Sequence, residues 1–222
     1  MSLSIRRLAP LVLVLVSWPA LAQSPAQPSR RSTRLFNPAD LGLLESPDRD
    51  IWQKPDQIMD SLGIADGSKV ADIGAGGGYF TVRLARRVGP RGVVWAEDVQ
   101  DAMLEAIKRR VAKENLPWVH YVKGSSTDPM LPAGELDAVL ILETYQEIQY
   151  ANPVLFLQNV RTALRDGGRV GIVDYKKEGG GPGPDGARPD PGTIVAVAEK
   201  AGLRLLRRET FLPFQFFLVF GK

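Results

Sequence analysis

Asp72 stands two residues before a run of glycines, Gly74, Gly76 and Gly78, inside the stretch VADIGAGGGYF. A second acid, Asp98, follows 20 residues past Gly78. Glycines at a strand end let the backbone turn sharply and let a ligand approach without meeting a Cβ. A carboxylate just before such a turn suits a cationic ligand and repels a pyrophosphate. An acid just after the next strand can accept hydrogen bonds from both hydroxyls of a ribose. Glu97, next to Asp98, competes for that role. Strand side chains alternate between faces, so one of the two faces the ligand, and Asp98 at the strand's exit is preferred. The glycine spacing is G-x-G-x-G, whereas a dinucleotide turn wants G-x-G-x-x-G, which would put its third glycine on Tyr79. A nicotinamide-dependent oxidoreductase is therefore the weaker reading.

A second group of candidates lies in LETYQEIQY and VDY. Glu143 can meet a cofactor through its backbone and a substrate through its carboxylate. Tyr145 can stack on or hydrogen-bond a substrate. Asp174 and Tyr175 emerge toward the same region. For each of these the bland alternative is helix capping or packing. His120, the chain's one histidine, sits mid-strand between Val119 and Tyr121 and reads as structural. A single histidine and no cysteine exclude disulfides, thiolate nucleophiles and histidine-rich metal sites, so no metal is expected.

The elements that must position these residues alternate along the chain. Strands are expected at 69–73, 93–97, 118–122, 137–142 and 169–173, with a last pair at 203–209 and 215–220. Helices are expected at 79–88, 101–115, 152–164 and 193–201, after a lead-in capped by Asn37 and a helix PDQIMDSL stopped by Gly63. This alternation implies an α/β fold, a doubly wound, mostly parallel sheet with helices on both faces. The short TFLP connection makes the last two strands an antiparallel edge pair. EGGGPGPDGARPDPG, 178–192, is too rich in glycine and proline for regular structure and reads either as a surface loop or as a lid.

These motifs together resemble a known family. VADIGAGGGYF, GVVWAEDVQDAML, GSSTDPMLPAGELDAVLILETYQEI and LRDGGRVGIVDY are similar, in order and spacing, to the successive motifs of class I S-adenosylmethionine-dependent methyltransferases, from about Ile51 to the end. The resemblance implies a seven-stranded sheet with its last strand antiparallel. It implies S-adenosylmethionine as cofactor, with Asp72 near the methionine amino group, the backbone of Gly74, Ala75, Gly76 and Gly78 under the methionine and ribose, and Asp98 on the ribose. Where the family often has an acid near the adenine amino group, this chain offers Ser125 and Ser126. Where relatives of exported architecture often have histidines after TY, it has Gln146 and Glu147. The implied activity is methyl transfer to a small-molecule acceptor, with Glu143 and Tyr145 as candidate catalytic residues. A non-catalytic protein binding S-adenosylmethionine or S-adenosylhomocysteine is the alternative.

The start of the chain differs in kind. Arg6 and Arg7, an apolar run from Leu8 to Val16 and Ala20-Leu21-Ala22 compose an export signal with cleavage before Gln23. Residues 1–22 are thus expected to be a signal peptide, 23–36 a polar linker and 37–222 the methyltransferase domain, exported to the periplasm or beyond, with no membrane span kept. Removing Arg6 and Arg7 lowers the formal charge from +3 to +1. A near-neutral chain gives no sign of a nucleic-acid partner. Nothing in the sequence speaks to oligomeric state.

Overall fold

The computed structural model describes residues 35–178, 180–182 and 188–222. The expected signal peptide lies outside them, as does all of the expected linker except Leu35 and Phe36. The chain enters through a 3₁₀ turn, Pro38–Leu44, capped by the Asn37 side chain, and a short helix α1, Arg49–Gln53. Helix α2, Pro55–Leu62, follows and stops at Gly63, whose φ of 72° needs no Cβ. The lead-in is thus two pieces, broken at Ser46–Asp48.

From here strand and helix alternate as the apolar pattern predicts. Strand β1 (Lys69–Ile73) leads to α3 (Tyr79–Val88), β2 (Val93–Asp98) to α4 (Asp101–Lys113), and β3 (Val119–Lys123) to β4 (Leu136–Leu142). Two helices come next, α5 (Tyr145–Ile148) and α6 (Pro153–Ala163), then β5 (Leu164–Tyr175), α7 (Pro191–Lys200), β6 (Arg204–Glu209) and β7 (Gln215–Gly221). The single turn α5 was not foreseen, because four residues are too few to show a period. β5 begins five residues earlier than expected, at Leu164 rather than Arg169. Gly167 and Gly168 do not end it, since the sheet partner carries the pairing through a register shift between Leu136 and Ala138.

The seven strands run in the order β3-β2-β1-β4-β5-β7-β6. β1 pairs in parallel with β2 and β4, and β4 with β5. β7 inserts antiparallel between β5 and β6. The order reverses at β1, which places the crevice between the carboxyl ends of β1 and β4, where open sheets of this kind hold ligands.

Alternate residues of each strand feed two cores. One buries Ile58, Leu62, Phe80, Leu84, Ile107 and Val111 of α2, α3 and α4 against Val70, Val94 and Leu140. The other buries Tyr145, Phe156, Leu157, Ile194 and Ala198 against Ile73, Val139 and Ile172. The arginines of α3 stay outside. Arg87 pairs with Asp56 and Asp60 of α2, and Arg86 with Glu114. No helix of the described residues is long and apolar enough to cross a membrane.

Candidate active site

The turn after β1 takes its shape from its glycines. Gly74, Gly76 and Gly78 have φ of 64°, 54° and 79°, values that side-chain-bearing residues rarely adopt. A Cβ on Gly74 would also collide with Thr144, at the foot of the loop after β4. The turn therefore presses directly onto the β4 loop. Tyr79, where a dinucleotide turn wants its third glycine, starts α3. Its hydroxyl donates to Asp50, and the guanidinium groups of Arg49 and Arg83 lie 4.0 and 3.7 Å from its ring centre. A side chain therefore stands where a dinucleotide turn needs a glycine for close helix–strand packing.

Asp72, 3% exposed, accepts a 2.7 Å bond from the Thr81 hydroxyl. Burial pushes its carboxyl up to about 7; the Thr81 bond opposes this and the charge of Asp98 adds to it. The two acids at the end of β2 reach the turn from opposite faces. Asp98 accepts from the Gly76 N–H at 3.0 Å and the Gln100 N–H at 2.9 Å. Burial raises it above the ordinary aspartate value, against those backbone bonds. Glu97 accepts from the Gly74 N–H at 3.3 Å and lies tight beneath Gly124. Its Oε1 is buried without a partner, and burial pushes the carboxyl up to about 8.

The loop after β4 holds Glu143, with a left-handed φ of 56°. Its carboxylate is gripped from two elements. Gln53 of α1 donates at 2.8 Å and Gln215 of β7 at 2.7 Å, and Arg49 approaches to 3.5 Å. The Tyr175 hydroxyl of β5 lies beside it, and burial and the Glu143 charge push that hydroxyl well above its ordinary value. Glu143 thus occupies the site, but with its carboxylate already committed. Two further acids lie near it. Asp174, 2% exposed, has one oxygen without a partner. Burial pushes it up to about 7, aided by the charges of Glu143 and Glu147. Glu147 on α5 is raised to about 7, first by burial and then by Asp98, with the Phe36 N–H opposing.

Other expected residues are placed differently. Tyr145 is 1% exposed, packed in the second core with no partner for its hydroxyl, which burial raises to about 12. The helical turn α5 explains this, because it directs its first residue into the second core rather than toward the mouth. Ser125 accepts from the Asp128 N–H at 3.0 Å and closes its own turn, and Ser126 is exposed. His120 is exposed on β3, stacked on Trp95 at 5.9 Å. Of the loop 178–192, residues 179 and 183–187 lie outside the described residues. Arg188 at its far end donates to the Lys176 carbonyl and lies over the Tyr175 ring.

The sequence reading missed Arg49, Gln53, Thr81, Thr144 and Gln215. The signal for Gln215 was present as a lone polar residue in the apolar run FQFFLVF. Gln53 and Arg49 left none, since a five-residue helix shows no face.

Asp72, Glu97 and Asp98 therefore lie at the glycine turn, and Glu147 and Asp174 lie near Glu143, all five with their carboxyls raised by burial. The cations nearest this group are themselves engaged, Arg49 with Glu143 and Lys123 with Asp101. Buried carboxylates need a positive partner. S-adenosylmethionine brings an ammonium and a sulfonium, and the residues present fit it. Among the described residues no cluster of metal-ligating side chains occurs.

The comparisons with known proteins agree. A family described as a methyltransferase domain matches residues 70–168. The ubiquinone/menaquinone biosynthesis C-methyltransferase of Pasteurella multocida is 28% identical over 128 residues, 57% of this chain and 46% of that protein. The demethylmenaquinone methyltransferase of Staphylococcus aureus is 32% identical over 93 residues, 41% of this chain and 36% of that protein. The chain thus spans less than half the length of these relatives. A solved S-adenosylmethionine-dependent methyltransferase from Aquifex aeolicus superposes with a TM-score of 0.73 at 26% identity, over 83% of this chain and 98% of that one. Glycine turn, sheet order and these likenesses converge on a chain that carries a methyltransferase domain over residues 70–168 in the fold of a class I S-adenosylmethionine-dependent methyltransferase.

Proposed function

We propose that this chain transfers a methyl group from S-adenosylmethionine to a small-molecule acceptor. The observation that carries the reading is the set of buried acids at and near a glycine turn that lacks the third glycine of a dinucleotide turn. When bound, the cofactor supplies a methyl group activated on a sulfonium. The chain's own residues do the rest. Asp98 holds the ribose, and Asp72 faces the ammonium. Glu147 and Asp174 are raised into the neutral range, and Asp174 has one oxygen without a partner; these are the groups that can take a proton from an acceptor. Glu143 is a positioning residue, because its oxygens are held by Gln53, Gln215 and Arg49. It fixes the loop that meets the turn at Thr144. An aromatic ring is the acceptor that two observations support. The relatives above are named for ubiquinone and menaquinone, and Trp52 lies 6.4 Å from Tyr175 and 6.1 Å from Phe214, ring to ring, beside Glu143.

A non-catalytic binding protein is the second reading. It is favoured by the clamped Glu143, the buried Tyr145 and the place of Gln146 and Glu147 after the fourth strand. Calorimetry with S-adenosylmethionine, S-adenosylhomocysteine and NAD, followed by methyl transfer to a demethylated quinol, separates the readings. Binding of the first two with turnover supports the enzyme. Binding without turnover on any acceptor leaves the second reading. Binding of NAD alone would sink both. Export remains a proposal beside these, and purified mature chain beginning at Gln23 is its check.

A further inference from the structure

The segment Leu35–Glu45 packs on neither core, and the 3₁₀ turn Pro38–Leu44 buries none of its residues. Apolar burial in the body of the fold therefore does not decide where it lies. Its contacts do, and they fall on the rim of the cofactor crevice. The Phe36 N–H faces the Glu147 carboxylate on α5 and opposes the rise that burial causes there. The Phe36 carbonyl accepts from Gln100 Nε2 at 3.0 Å, two residues past the ribose acid. One residue thus bridges the loop after β4 and the loop after β2. The segment next crosses the glycine turn. A Cβ on Gly77 would lie 3.2 Å from Leu41, and one on Gly76 3.8 Å from Leu44. It is then pinned beyond the turn, where Glu45 pairs with Arg110 of α4, which also donates to the Gly77 carbonyl at 3.3 Å. Arg49 holds the Leu44 carbonyl from the other side.

A segment tied to both rims of a crevice, with apolar side chains turned onto its floor, covers whatever the crevice holds. We propose that Leu35–Glu45 is the roof of the cofactor site: it closes over the nucleoside half of S-adenosylmethionine, and it lifts to admit the cofactor and release the product. Leu41 and Leu44 are its inner face. Leu43, 79% exposed, is its outer face. The roof rests on the methyltransferase reading, which supplies the ligand. A cover without a core of its own opens at little cost, as gating elements do.

Two measurements on the full chain test it, with S-adenosylhomocysteine as the probe. Hydrogen exchange of amides 36–45 should slow by about tenfold or more at saturating probe, because local opening is then opposed by binding. The double variant Leu41→Ser/Leu44→Ser should release the probe about tenfold faster in stopped flow, with its thermal midpoint unchanged, since neither side chain belongs to either core. Leu43→Ser should match the parent. A probe that binds while exchange at 36–45 and the double variant's release rate stay at parent values overturns the roof and leaves the methyltransferase reading standing. A probe that does not bind at all overturns both.

Discussion

At the scale of the residue, what separates two adjacent acids is the face each takes from one strand. Asp98 shares a face with Val94 and Ala96 and receives two backbone N–H groups at the turn's open side. Glu97 points the other way and is closed in by Gly124. Alternation in the sequence predicts that they differ, and the structure places them on opposite faces; Asp98 as the ribose acid is the proposal that follows. Asp98→Ala should weaken S-adenosylhomocysteine binding at least about tenfold more than Glu97→Ala, the worth of a charge-assisted hydrogen bond. Calorimetry on both folded variants checks this, and equal losses would remove Asp98 from the role. For Tyr145 the same level of reading falls short. Its position after the fourth strand is right for a site residue, but a four-residue helix decides its direction, and that direction is into the core.

At the scale of the element, the site depends on pieces far apart in sequence. The Glu143 clamp joins α1, the β4 loop and β7, through Gln53 and Gln215. Gln215 is 1% exposed and also accepts from Gln53 at 3.1 Å. Gln215→Leu would leave both partners short of a buried hydrogen bond. The expected cost is about 1–3 kcal/mol. A urea midpoint lowered with the slope unchanged would show it, and a midpoint equal to the parent's would mean that the clamp does not form in solution. The strands and longer helices that carry these residues were legible beforehand, because apolar period and glycine or proline stops mark them. The clamp was not, because its partners come from unrelated stretches and only the packing of α1 against the end of β5 and the start of β7 brings them together.

At the scale of the whole molecule, burial of acids sets a dependence on pH. Asp72, Glu147 and Asp174 titrate near 7 and Glu97 near 8 in the fold, above ordinary values of 3.8 for aspartate and 4.5 for glutamate. Such groups hold their protons more tightly folded than unfolded. Their contribution to stability is complete below the unfolded values and is lost as pH rises through the folded ones. A cationic ligand offsets that loss by pairing with the ionised forms. The rise in thermal midpoint caused by S-adenosylmethionine should therefore be several degrees larger at about pH 8 than at about pH 6. Asp72→Asn should shrink the difference. An equal shift at both pH values would deny that the ligand's positive charge meets these acids.

The sequence by itself determined the alternation of strands and helices, the antiparallel last pair, the glycine turn and the kind of cofactor it suits. These follow from local rules: side-chain period, the need for glycine at positive φ, and the sign of charge beside a turn. The tertiary structure alone decided which carboxylates remain unpartnered. Glu143 is spent on Gln53 and Gln215, whereas Glu97 and Asp174 are buried with one oxygen each unpartnered. It also decided that Leu35–Glu45 lies across the crevice. Partners, burial and the pKa shifts they cause are properties of what the fold brings near, and no local pattern in the chain encodes them.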